Sequence, residues 1–229
     1  ATKKIERNEL VKLEDYKNED AAVKALADSF IKDVDTRLGE VFAKTEVDLD
    51  GNRDPGVRTK ETNLGDLITD GILWYATKDG KLDVPTDHVV ALTNGGGIRA
   101  SIKAGDISMK DINTVLPFGN TVAVIYISGA SLLEALEAST YSLPTAIGGF
   151  PQVSGIRYTV VTGAKYDANA ETYPGSTYYG PKSIKRVTIE SINGKAFNPK
   201  DTYAVVTNDF TAAGGDTYYT FKTSPKIVD

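Results

Sequence analysis

The chain has 229 residues, of which 26 are Lys or Arg and 31 are Asp or Glu, for a formal net charge of −5. This is ordinary globular composition, and the negative balance argues against a general nucleic-acid binder. There is no cysteine, which excludes disulfides and thiolate metal sites, and no apolar run approaches the roughly 20 residues of a membrane span.

The first residues are charged and lack the apolar stretch of a signal peptide. The chain opens on Ala1 rather than methionine, so it reads as a mature or excised piece. From Asn18 to Thr45 apolar residues recur at spacings of three and four, from Val23, Leu26, Phe30 and Val34 to Val41 and Phe42. That period predicts one helix with Asp20 as its N-cap and an apolar stripe that packs on a partner. Residues 50–56 form a loop by composition, and Asn63 to Lys78 is a second helix, with Leu64, Leu67, Ile68, Ile72 and Tyr75 on its inner side. Residues 88–93 read as a buried strand running into Asn94-Gly95-Gly96-Gly97-Ile98-Arg99.

Ser108 to Asp111 fits a capping box that opens a short helix. Thr121–Ile127 is a β-branched strand, and Ser131–Ser139 a helix with Leu132, Leu133 and Leu136 inward. Ile156–Thr162, Val187–Ile192 and Tyr203–Thr207 are further strands, with Asn193-Gly194 as a tight-turn signal. Residues 164–182, rich in Tyr, Gly, Pro, Asn and Thr, read as a long surface loop. The fold class is α+β, a mixed α/β arrangement with one mixed sheet.

No catalytic centre is evident. His88 is the single histidine, and it reads as an exposed or strand-edge residue rather than a ligand or base. There is no nucleophile elbow, Walker A sequence or dinucleotide fingerprint. What stands out is a set of polar loops at strand ends and helix starts. The glycine run leaves bare backbone able to take positive φ, followed by the Arg99 fork of donors. A loose surface turn is the alternative. Phe118 sits between Pro117 and Gly119, and Phe210 follows Asn208-Asp209 and precedes Gly214-Gly215-Asp216. Phe118 taken alone favours a core position, whereas the polar surroundings of Phe210 do not. Arg58 lies just before a helix start, where free amides favour an anion. Together these residues suit a nucleotide: Phe118 and Phe210 for the base, Asn94 for its edge, Asp216 for the ribose diol, Arg58 and Arg99 for the phosphate.

Five ordered motifs carry a resemblance: Arg58-x-x-Glu61-Thr62-Asn63-Leu64-Gly65-Asp66-Leu67, the run Asn94–Arg99, Leu116-Pro117-Phe118-Gly119-Asn120, Gly149–Arg157, and Thr207-Asn208-Asp209-Phe210 with Gly214-Gly215-Asp216. Over residues 45–222 the chain resembles the C-terminal domain of the 5'-nucleotidase and UDP-sugar hydrolase family. The resemblance implies a substrate-binding domain over 46–229, preceded by a charged segment and linker-type helix over 1–45. It implies binding of a nucleotide or nucleoside by Arg58, Asn94, Gly96, Arg99, Phe118, Phe210 and Asp216, with no catalytic or metal-binding residue in this chain. Two divalent metal ions and the catalytic His-Asp pair belong in that family to an N-terminal metallophosphoesterase domain, the expected intramolecular partner. The parent would be a hydrolase located outside the cell, at its surface or in the periplasm, and this piece alone inactive. A stand-alone binding module, or the substrate domain of a cyclic-nucleotide or NAD hydrolase, are the alternatives. Thr217 follows Asp216 where the family often has glycine.

Overall fold

The computed structural model of the chain describes residues 8–10, 12, 18–80, 82–166, 184–223 and 227–228. Most of the loop expected over 164–182 lies outside them. Helix α1, Ala21–Leu38, is capped by Asp20, whose carboxylate accepts from the amides of Ala22 and Val23. The helix stops at Gly39, and Val41–Thr45 is a strand, β1. The expected helix to residue 45 was therefore too long. Val41 and Phe42 continue the helical spacing but lie beyond the glycine that ends it. Among the described residues little covers the apolar stripe: Val23, Leu26, Phe30 and Ile31 are all more than half exposed.

Helix α2, Asn63–Thr77, is capped by Thr62, whose hydroxyl accepts from the Gly65 amide. Strand β2, Val89–Asn94, is buried along its whole length and ends in a 3-10 turn over Gly95–Gly97. Strand β3, Gly105–Ser108, pairs antiparallel with β1. It leads into α3, Met109–Val115, through the expected capping box of Ser108 and Asp111. Strand β4, Val122–Ser128, is followed at once by α4, Gly129–Thr140. The remaining strands are β5, Pro151–Ser154; β6, Ile156–Val160; β7, Val187–Ile192; and β8, Thr202–Asn208. After β8 come the single turn α5, Asp209–Ala212, a 3-10 turn over Tyr219–Thr223, and the short strand β9, Ile227–Val228. Strands β1, β3, β5 and β9 were not expected from the sequence.

The main sheet has the order β5-β2-β8-β4-β9. Strands β2 and β8 are parallel, and the other pairs antiparallel. Alternation along the central strands divides their side chains between two cores. Val89, Ala91, Val124, Ala204 and Val206 face α2 through Ile72, Leu73 and Ala76. Val90, Leu92, Ile125 and Val205 join Leu132 and Leu136 of α4, Ile189 and Ile192 of β7, and Phe221. The inner side of α2 thus differs in part from the expected one, since Leu67 and Tyr75 are more than half exposed. A third cluster, built on Leu49, Val57, Leu64, Ile98 and Val115, supports the loops at one end of the sheet. Asn193 and Gly194, with φ of 47° and 74°, make the expected tight turn between Ile192 and Lys195.

Candidate ligand-binding cleft

Sheet topology explains why distant motifs meet. The parallel strands β2 and β8 end side by side at Asn94 and Asn208, and antiparallel β4 begins opposite Asn208 at Val122. Strand β5 likewise begins opposite Asn94 at Pro151. The glycine run, the segment before β4, the segment before β5 and the turn after β8 therefore share one edge of the sheet. Ligand sites of open α/β sheets recur at the carboxyl ends of parallel strands. Here a cleft of about 330 Å³ at that edge is lined by Arg58, Asn94, Gly96, Gly97, Arg99, Phe118, Asn120, Gly148, Phe210 and Asp216. All seven residues singled out in the sequence lie on its walls.

The glycines serve a different purpose from the one expected. None of Gly95, Gly96 and Gly97 has positive φ. They are needed for close approach: a Cβ on Gly95 would lie 1.8 Å from the carbonyl oxygen of Val57, and one on Gly96 2.9 Å from that of Gly148. The amides of Gly95 and Gly96 donate to the carbonyls of Phe150 and Gly148, each at 2.7 Å. Those two amides are committed to the fold rather than offered to an anion. The run is a crossing point of three segments that also forms a wall of the cleft.

Both phenylalanines are exposed, Phe118 at 61% and Phe210 at 46%, so neither is a core anchor. The Arg99 guanidinium lies over the Phe118 ring, 5.7 Å from its centroid, and donates to the Gly96 carbonyl. The Phe210 ring rests against Gly215, where a Cβ would come within 2.5 Å of it. Gly214 and Asp216 have φ of 86° and 51°, so Asp216 holds a strained, left-handed backbone at a wall of the cleft. Burial pushes its carboxyl above the ordinary value, against a hydrogen bond from Asn94 and the positive charge of Arg58. Thr217 beside it is buried, its hydroxyl against Gly149.

Positive charge comes from arginines, not from helix amides. The start of α2 lines neither this cleft nor the one beside it. Arg58 and Arg99 line both, and Arg53 joins them in the second, a cleft of about 230 Å³. Arg53 was passed over in the sequence because it sits in a segment that reads only as loop. Three guanidinium forks around contiguous clefts suit a phosphate or carboxylate. The backbone carrying Arg58 is pinned by buried Gln152, which accepts from the Thr62 amide and donates to the carbonyls of Val57 and Lys60. Gln152 was quoted in a motif but given no role. Among the described residues no group of three His, Cys, Asp or Glu side chains is placed to hold a metal ion. No helix among them is long and apolar enough to cross a membrane.

Residues 41–223 match the family model described as "5'-nucleotidase, C-terminal domain". The chain belongs to that family and carries its C-terminal domain. It is 39% identical over 211 residues to the trifunctional nucleotide phosphoesterase protein YfkN of Bacillus subtilis (strain 168), covering 91% of this chain and 13% of that protein. To a 5'-nucleotidase of Vibrio cholerae it is 31% identical, over 92% of this chain and 31% of that one. The crystal structure of a 5'-nucleotidase precursor from Thermus thermophilus superposes with a TM-score of 0.72 at 35% identity, over 92% of this chain and 38% of that one. Other relatives bear the names snake venom 5'-nucleotidase and cell wall protein Lmo0130. The chain thus spans less than a third of the length of the first of these curated relatives.

Proposed function

We propose that this chain is the substrate-recognition domain of a 5'-nucleotidase-type phosphohydrolase. The observation that carries the reading is the convergence of Arg58, Asn94, Gly96, Arg99, Phe118, Phe210 and Asp216 on one cleft. A base stacks between Phe118 and Phe210, the ribose diol donates to Asp216, and the phosphate end meets Arg58, Arg99 and Arg53. Each base–aromatic stack contributes about 1–3 kcal/mol. The bond-breaking step belongs to an upstream metallophosphoesterase domain, where two divalent ions would activate water for attack on phosphorus. The segment before β1, with the exposed stripe of α1, connects to that domain. The present chain binds and orients and does not hydrolyse. A place outside the cytoplasm is supported by the names of the venom and cell-wall relatives.

Calorimetric titration of AMP and adenosine tests this. Binding is expected for the wild-type chain and a loss of at least about tenfold for Phe118→Ala with Phe210→Ala. An unchanged affinity in the double variant removes the stacking model. Phosphatase activity that survives repurification removes the claim that the chain only binds.

A further inference from the structure

Asp216 is held by a relay of amides that starts in the sheet. Asn208, the last residue of β8, uses every polar atom of its side chain. Its oxygen accepts from the Thr211 amide at 2.8 Å, capping α5. Its two N–H hydrogens have two acceptors, the Thr93 hydroxyl oxygen and the Asn94 carbonyl oxygen, each at 3.1 Å. The Asn94 oxygen receives a second, longer bond from the Thr211 hydroxyl at 3.4 Å. Its NH2 then donates to Asp216 Oδ2 at 2.8 Å. Asn94 is 4% exposed, so water does not substitute for these partners. An amide has one donor end and one acceptor end. With Asn208 donating to its oxygen, Asn94 must turn its NH2 to Asp216; turned the other way it would set its carbonyl against a carboxylate.

We propose that Asn208 is a positioning residue for ribose recognition: by donating to Asn94 it fixes the amide that orients Asp216 toward a 2',3'-diol. The proposal rests on the reading of the cleft given above. Asn208 lies in the cap of α5 and acts through Asn94, one step back from the carboxylate.

Two variants isolate the donation. Asn208→Asp keeps the shape and the capping oxygen but has no N–H for Asn94; Asn208→Ser keeps a capping oxygen without adding charge. Affinities for AMP and 2'-deoxy-AMP are compared by calorimetry, with melting to confirm the fold. Both variants are expected to weaken AMP about tenfold while changing 2'-deoxy-AMP little, so the preference for the ribonucleotide shrinks. An equal loss for both nucleotides, an unchanged ratio, or an effect confined to Asn208→Asp overturns the proposal. The Asp216 carboxyl is followed by 13C NMR in the Ser variant, where Arg58 remains the facing charge. Its titration is expected to move further above the ordinary carboxylate value once the Asn94 bond is lost. A titration identical to wild type overturns the relay, even if wild type binds neither nucleotide and the functional reading itself fails.

Discussion

Replacing Gly95 by alanine places a methyl group 1.8 Å from the Val57 carbonyl oxygen and 3.2 Å from that of Phe150. Ordinary contact begins at 3.4 Å, so the two segments must part by roughly 1.6 Å, the shortfall between those distances. The clash is with backbone, which has no rotamer to yield. Parting breaks the 2.7 Å bonds from Gly95 to Phe150 and from Gly96 to Gly148. Two buried hydrogen bonds at about 1 kcal/mol each and overpacking of about 1–3 kcal/mol give a loss of about 3–5 kcal/mol. With a urea slope of about 2–3 kcal/mol per M, the unfolding midpoint falls by about 1–2.5 M. Gly71 is the control. It lies exposed inside α2 with nothing within 4 Å of a Cβ, so Gly71→Ala is expected to raise stability by about 0.5–1 kcal/mol. A Gly95→Ala midpoint within about 0.3 M of wild type would refute the close-approach account of the glycine run.

Gln152→Leu removes the acceptor of the buried Thr62 amide and the donor to the Val57 and Lys60 carbonyls. Stability is expected to fall by about 3 kcal/mol, and phosphate-bearing ligands to weaken more than the free nucleoside, by calorimetry, because Arg58 loses its support. His88 sits 2.8 Å from Asp87 and 3.4 Å from Asp201 and stacks on Tyr203. The Asp87 hydrogen bond, followed by that to Asp201, raises its value above 6.5. Its stabilising effect is then fully present below the unfolded value and lost as pH rises through the higher folded one. Melting temperature should decline across that window in wild type and stay flatter in His88→Gln; parallel curves would remove the assignment.

Of the five strands legible in the sequence, three are buried on both faces, whereas β6 and β7 alternate between more and less covered positions. Val89–Asn94, Val122–Ser128 and Thr202–Asn208 are dense in branched residues because the sheet is covered on each side. Strands β1 and β3 escaped notice because they are short, carry Lys44 and Asp106, and pair with a shift in register between Val41 and Ala43. Strand β5 opens with Pro151, which weakens any strand signal. The cleft was legible as a set of motifs, since loops at one sheet edge keep their residue types regardless of separation along the chain. The contacts behind those motifs were not. Asn208 and Gln152 act through partners that only folding brings near, from Thr93 across 115 positions and from Thr62 across 90. The glycine run was read for freedom of φ, when its cause is the proximity of Val57 and Gly148, which no local pattern encodes.

Helix α1 has a bearing on how any of these variants is measured. It is the longest helix described, 18 residues with none buried, and meets α3 through the Lys110–Asp35 ion pair, so little ties its ellipticity to the sheet. An isolated helix of that length is marginal in water. On warming, much of the far-ultraviolet signal at 222 nm would fade gradually before the core melts, and a single-transition fit to it would understate cooperativity. The absorbance of Tyr203 and Tyr218 follows the domain instead, because both lie inside the core.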